Sequence, residues 1–193
     1  MKKIYAFDFD GTLTTKDTLL EFIRYAKGTL AFGLGFMRYA HLLVLMKLGL
    51  YPNWKAKQKV FAHFFKDTTL DDFDAICQKF AASSRHLLRP KGIKAINQAL
   101  NEGSEVLIVS ASIDNWVQPF FPQVKVLGTQ IEVVDGKLTG RFLTKNCYGE
   151  EKVNRLKAIY PNRQDYHLTA FGDSNGDKEL LAFADESYFK PFR

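Results

Sequence analysis

The sequence predicts an α/β protein: a Rossmann-like parallel sheet core flanked by helices, with an all-helical cap inserted after the first strand and a small β-hairpin. Three observations carry this expectation. Short apolar runs ending in polar residues alternate with helical repeats. Roughly 75 residues after the first run hold no core-strand pattern, too many for a loop. One Asp-Gly pair stands between two apolar segments, the mark of a tight hairpin.

The first run, residues 3–7, has the apolar and aromatic content of a buried parallel strand, and it delivers Asp8 to the sheet end where open α/β folds bind ligands. Asp8 and Asp10 lie one residue apart. Alternating side-chain direction puts them on one side if the chain stays extended, although Gly11 already marks a turn. Two carboxylates this close require a counter-ion, a shared proton or water. A solvated turn has the same composition.

Residues 15–89 read as the cap domain and residues 1–14 with 90–193 as the core domain. Candidate helices cover 18–27, 29–48, 53–65 and 70–84, the last preceded by Thr68 and Thr69 as N-caps and opened by Asp71 and Asp72. Residues 29–50 are long enough to cross a bilayer, and Arg38, His41 and Lys47 form no single polar face. A single span would separate Asp8 from everything after residue 50, so a site shared by both excludes it. What remains is a helix buried within the cap, or one that touches a membrane surface or an apolar substrate. Tyr51, Trp54, Lys55, Lys57 and Lys59 follow, a mixture that suits an anionic interface or a solvated helix face. Peripheral lipid contact would thus run through residues 29–59.

Beyond the cap, Ile93, Ile96, Ala99 and Leu100 repeat at helical spacing before a strand at 105–110. A third strand falls at 123–127. Asp135-Gly136 centres a hairpin within 130–142, and Val153, Leu156, Ala158 and Ile159 form the helix before a fourth core strand at 166–171.

With 46% hydrophobic and 25% charged residues, the composition excludes wholesale disorder and collagen-like or disulfide-built scaffolds. Cys77 and Cys147 stand alone, without metal-ligand spacing, so a reducing cytoplasm is the default location. A position peripheral to the inner face of the membrane is the alternative. The apolar run after Lys2 and Lys3 is broken by Asp8, unlike a secretory signal. A net charge of +6 favours anionic partners, but the basic residues are dispersed and no nucleic-acid recognition module is present.

Three more segments match the first in order and context. Val106-Leu107-Ile108-Val109-Ser110 ends a strand in a hydroxyl. Gly149-Glu150-Glu151-Lys152 places a cation where a helix opens. Leu168-Thr169-Ala170-Phe171-Gly172-Asp173-Ser174-Asn175-Gly176-Asp177 ends a strand in further carboxylates. With Asp8-Phe9-Asp10-Gly11-Thr12, this set resembles the haloacid-dehalogenase-like hydrolase superfamily, in its phosphoserine-phosphatase-like branch with a helical cap.

The resemblance implies a Mg²⁺-dependent phosphatase that hydrolyses a small phosphate monoester through an aspartyl-phosphate intermediate. It implies Asp8 as nucleophile, Asp10 as general acid/base and Lys152 as charge stabiliser. Ser110, Lys152 and backbone amides near Phe9 and Asp10 would hold the phosphoryl oxygens. Mg²⁺ would be held by Asp8, the backbone carbonyl of Asp10 and Asp173, with Asp177 supporting the site from behind or ligating directly. An acid at position 10 favours phosphoryl transfer over halide displacement.

The chain departs from phosphoserine phosphatases at Gly176, where those enzymes typically carry Asn, and its cap residues do not match their amino-acid-binding set. Glu21-Phe22-Ile23-Arg24-Tyr25, the apolar helix after it and the last two motifs also resemble bacterial phosphatidylglycerophosphate phosphatases. A lipid phosphatase acting at a membrane surface is therefore the alternative reading. A phosphotransferase shares the first half-reaction, and a non-catalytic binding protein is the least supported.

Overall fold

The computed structural model describes residues 1–193, the side chain of residue 47 excepted. Five strands form one parallel sheet in the order β3-β2-β1-β6-β7: Lys125–Thr129, Glu105–Ile113, Lys2–Phe7, Tyr166–Gly172 and Glu186–Phe189. The middle strand β1 is apolar on both faces because both faces are covered. A separate antiparallel hairpin joins β4 (Ile131–Val134) to β5 (Lys137–Phe142), and its turn residues Asp135 and Gly136 both have positive φ, as a tight hairpin turn demands.

Three helices are inserted between β1 and α4 (Pro90–Asn101): α1 (Thr18–Lys47), α2 (Asn53–Phe65) and α3 (Leu70–Ser83). Asp17 caps α1 by accepting the backbone N–H groups of Leu19 and Leu20, and Thr69 caps α3 through the N–H of Asp72. The short α5 (Asp114–Val117) follows β2, while α6 (Glu150–Ile159) and α7 (Lys178–Phe183) flank β6.

One apolar cluster runs from Phe7 on the sheet and Phe9 in the loop after it through Trp116 to Phe22, Phe61 and Phe73 of the inserted helices. A second cluster, with Ile4, Leu107, Val109, Leu168 and Leu156, covers the opposite face. The hairpin sits with the insertion: the Asp67 N–H donates to the Leu138 carbonyl, the Leu138 N–H returns to Thr68, and the Phe142 N–H donates to Gln58 Oε1 at 2.9 Å.

Four expectations need correction. The helices expected at 18–27 and 29–48 are one element, kinked at Gly28, whose φ is +80°. The second of them is not buried in the cap: Leu30, Leu34, Met37 and Leu48 are largely exposed. The third strand begins at Lys125, because the Val124 N–H closes a turn on the Phe121 carbonyl. Strand β2 continues past Ser110 to Ile113, and the edge strand β7, exposed at every residue, has no hydrophobic alternation to announce it.

Candidate active site

Asp8 and Asp173 stand just beyond the carboxyl ends of the neighbouring parallel strands β1 and β6, and Ser110 lies on β2 two residues past Ile108, the last residue paired with β1. The Asp8 N–H donates to the Phe171 carbonyl at 2.9 Å, extending the β1–β6 pairing to the residue that carries the carboxylate. Lys152, in the first turn of α6, points back at it. Its ammonium donates to Asp8 Oδ1 at 2.6 Å and to Asp177 Oδ1 at 2.5 Å, and all three side chains are nearly sealed from solvent. The Thr12 hydroxyl donates to the other Asp8 oxygen at 2.9 Å.

This arrangement sets the charges. Burial pushes the Asp8 carboxyl up to about 7, with Lys152 opposing the rise and Asp177 and Asp10 adding to it. Burial also works against the Lys152 ammonium, but Asp8 and Asp177 outweigh it and hold Lys152 above the ordinary lysine value. Burial opposes the Asp177 charge as well; Lys152, together with the N–H groups of Ser174 and Asp173, holds that carboxyl below its ordinary value.

Asp10 faces the inserted helices. Its Oδ1 accepts the Thr18 N–H at the start of α1 at 2.7 Å, and its Oδ2 accepts the Ser112 hydroxyl. Burial, then the charge of Asp17, raises its pKa, against those hydrogen bonds. Ser110 is buried, and its Oγ accepts the Ser112 N–H at 3.0 Å. The Phe9 ring is turned away among Phe120 and Phe121, which leaves its backbone alone to face a ligand.

Asp8, Asp10, Ser110 and Lys152 line a cavity of about 710 Å³. Its polar end holds these four; its wall is apolar, built from Leu19, Leu20, Phe36, Leu43 and Met46 of α1 and Val60 of α2. Lys57 of α2 reaches the same cavity and donates to the Ala111 carbonyl at 2.6 Å, tying the insertion to β2. Burial lowers its pKa, with Asp10 and Asp17 opposing. The expected grouping of Lys57 with Trp54, Lys55 and Lys59 on one outer surface is corrected here: Trp54, Lys55 and Lys59 are exposed, and Lys57 turns inward. A signal was present in the sequence, since Lys57, Val60 and Phe61 share a helical face by their i, i+3, i+4 spacing. Thr12 of the first motif and Ser112 also enter the site, and Ser112 follows Ser110 at the two-residue period of a strand.

Carboxylate oxygens of Asp8, Asp173 and Asp177 lie within 4.8 Å of one another, a set of hard donors that fits Mg²⁺. Asp177 is already fully engaged: Oδ1 by Lys152, and Oδ2 by the N–H groups of Asp173 and Ser174 and the Ser174 hydroxyl. Asp8 accepts one hydrogen bond at each oxygen, from Lys152 and Thr12, against the four that Asp177 accepts. Arg193 pairs with Asp173.

Two glycines are fixed by close approach. Gly11 has φ +81°, and a Cβ there would fall 2.4 Å from Asp173 Oδ2. Gly11→Ala should therefore cost about 1–2 kcal/mol in backbone strain and displace Asp173, seen as a lower Tm together with reduced turnover. A Cβ at Gly176 would lie 2.4 Å from the Tyr148 ring. The space that an Asn side chain would need at this position is filled by tyrosine, which gives the departure from the phosphoserine-phosphatase pattern a steric cause.

The family model for haloacid dehalogenase-like hydrolases matches residues 5–182, a span that contains every residue placed around the cavity. The chain belongs to this family. The chain is 33% identical over 196 residues to Protein CicA of Caulobacter vibrioides, covering 98% of this chain and 86% of that protein. A crystal structure of a protein of unknown function from Bordetella pertussis Tohama I superposes with TM-score 0.82 at 19% identity, over 97% of this chain and 89% of that one. A phosphoserine phosphatase captured as a phospho-aspartyl intermediate analogue gives TM-score 0.61 at 22% identity, over 96% and 85%. Those two likenesses place the haloacid dehalogenase-like fold and say nothing of substrate.

Proposed function

We propose that the protein is a Mg²⁺-dependent phosphomonoesterase working through an aspartyl-phosphate on Asp8. The observation that carries this reading is the pairing of Asp8 with Lys152 at 2.6 Å beside an acid/base carboxyl, Asp10, held in place by Thr18 and Ser112. Asp8 attacks phosphorus, and Lys152, Ser110 and the Phe9 and Asp10 amides offset charge on the phosphoryl oxygens. Asp10 gives its proton to the leaving alkoxide and then takes one from the water that hydrolyses the intermediate. Asp8, Asp173 and the Asp10 carbonyl would hold Mg²⁺, which when bound neutralises phosphate charge and lowers the pKa of Asp8. Residues 15–89 act as the cap that encloses the leaving group.

The metal assignment is tested without turnover. Mg²⁺ should raise the Tm of the wild type, and Asp173→Asn should remove that shift. An unchanged shift in the variant would sink the assignment. For Asp10, a raised pKa keeps the carboxyl protonated further up the pH scale than an ordinary aspartate, so kcat of the transfer step falls as pH rises through that value. Asp10→Asn should erase this alkaline limb and lower kcat by about 10²–10⁴.

A second reading concerns the leaving group. The apolar wall from Leu19 to Met46 favours a phosphate ester with a hydrocarbon portion, such as a lipid phosphate, over a compact polar metabolite. Lys57 would pair with an anionic group on that ester, and Lys57→Met should raise KM about tenfold with a smaller effect on kcat. A panel of soluble phosphorylated metabolites and phosphatidylglycerophosphate, each with Mg²⁺ present, separates the readings. Uniform preference for the soluble compounds removes the lipid substrate.

A further inference from the structure

Helix α1 is apolar on two opposite faces. The inner face, with Phe36, Leu43 and Met46, lines the cavity. On the outer face, Leu30, Leu34, Met37, His41 and Leu45 fall within about 80° of one another at 100° per residue and extend for about 22 Å, and Leu48 follows at the C-cap. All six are exposed, Leu30 by 79%, Met37 by 70% and Leu48 by 66%. A helix that is apolar all round belongs in a core, and this one has water on its outer side.

The surrounding charge indicates what covers it. Residues 22–66 contain eight lysines and arginines and no aspartate or glutamate, although the whole chain has a net charge of only +6. Arg24, Arg38, Lys55 and Lys59 are exposed in this stretch, and Trp54 is 43% exposed beside Lys55. Basic and aromatic residues flanking an apolar helical stripe match the interface of an anionic bilayer. Crossing the bilayer is excluded by connectivity. Thr18 at one end of α1 bonds to Asp10, and α2, which follows the other end, bonds through Lys57 to Ala111, so both ends stay on the side of the sheet.

We propose that the outer face of α1 lies in the headgroup region of an anionic lipid bilayer, with the cavity mouth at its flank. Val44 lines the cavity and is also 57% exposed, which places an opening on this helix. An amphiphilic phosphate ester would enter there; that route depends on the phosphatase reading, whereas the docking face stands without it.

Flotation of the full chain with vesicles tests the docking. The wild type should float with vesicles of equal parts phosphatidylcholine and phosphatidylserine, less at high salt, and stay behind with phosphatidylcholine alone. Leu34→Glu with Met37→Glu should lower the bound fraction about tenfold or more and leave hydrolysis of a soluble aryl phosphate unchanged, since neither residue lines the cavity. Lys55→Glu with Lys59→Glu tests the charge separately and should also reduce binding. The proposal is overturned if the wild type fails to bind the anionic vesicles, if both double variants float as it does, or if the face is covered instead by a second copy, seen as a dimer that the Leu34/Met37 variant splits.

Discussion

Asp8→Asn is expected to abolish turnover of an aryl phosphate, by about 10⁴-fold or more, while the protein stays folded. The carboxylate is the only nucleophile proposed here, and an amide cannot form the acyl phosphate, so the loss should fall on kcat rather than on KM. Folding should survive because Lys152 keeps its 2.5 Å pair with Asp177 and the asparagine carbonyl can still accept from Thr12. The charge removed is also one that burial already disfavours, with the Asp8 carboxyl raised to about 7. A raised carboxyl contributes stability that is fully present below its unfolded value and is lost as pH rises through about 7. Asp8→Asn removes this dependence, so its stability relative to wild type should improve across that window when no metal is added, as measured by urea denaturation at several pH values.

Lys152→Met should have the largest effect on stability. Lys152 is 2% exposed and separates two buried carboxylates; without it Asp8 and Asp177 face each other with no cation between them. Breaking a buried ion pair from one side costs about 3–5 kcal/mol, because an uncompensated charge stays in a low-dielectric site. The sign of the pH dependence follows from the carboxylates. Asp177 is held below its ordinary value by Lys152, a contribution that is present above the unfolded pKa and lost as pH falls through the folded one. In the variant that contribution is gone and both carboxyls are pushed up, so the deficit should be larger at about pH 8 than at about pH 5. Catalysis should fall in parallel, since charge on the phosphoryl group loses its fixed counter-ion.

The parts of this account that were legible in the sequence are those set by neighbours along the chain. The strand 3–7 ends in Asp8 because apolar residues stop there, and Asp135-Gly136 makes a hairpin wherever two strands flank it. Lys152 and Asp173 could be placed because each sits at a helix start or strand end that its own segment declares, and Ser110 because the apolar run of its strand stops there. Partners distant in the sequence were not legible. Lys57 enters the cavity because α2 packs against α1 and the hairpin strand β5, and the exposure of Leu30 and Leu34 follows from which face of α1 meets α2; a helix apolar on two faces gives no single periodicity from which to choose. Ser112 was hidden because the apolar run stops at Ser110, three residues before β2 ends at Ile113, and β7 by its lack of any buried position.

In this mechanism phosphoryl transfer passes through Asp8. Acid-quenched turnover of an aryl phosphate with Mg²⁺, followed by mass spectrometry of the peptide that contains residues 4–14, tests it most directly. One phosphoryl group is expected on Asp8 during turnover and none in Asp8→Asn. A wild-type enzyme that turns over without this adduct, or an Asp8→Asn variant that hydrolyses the ester at a near-normal rate, would contradict it.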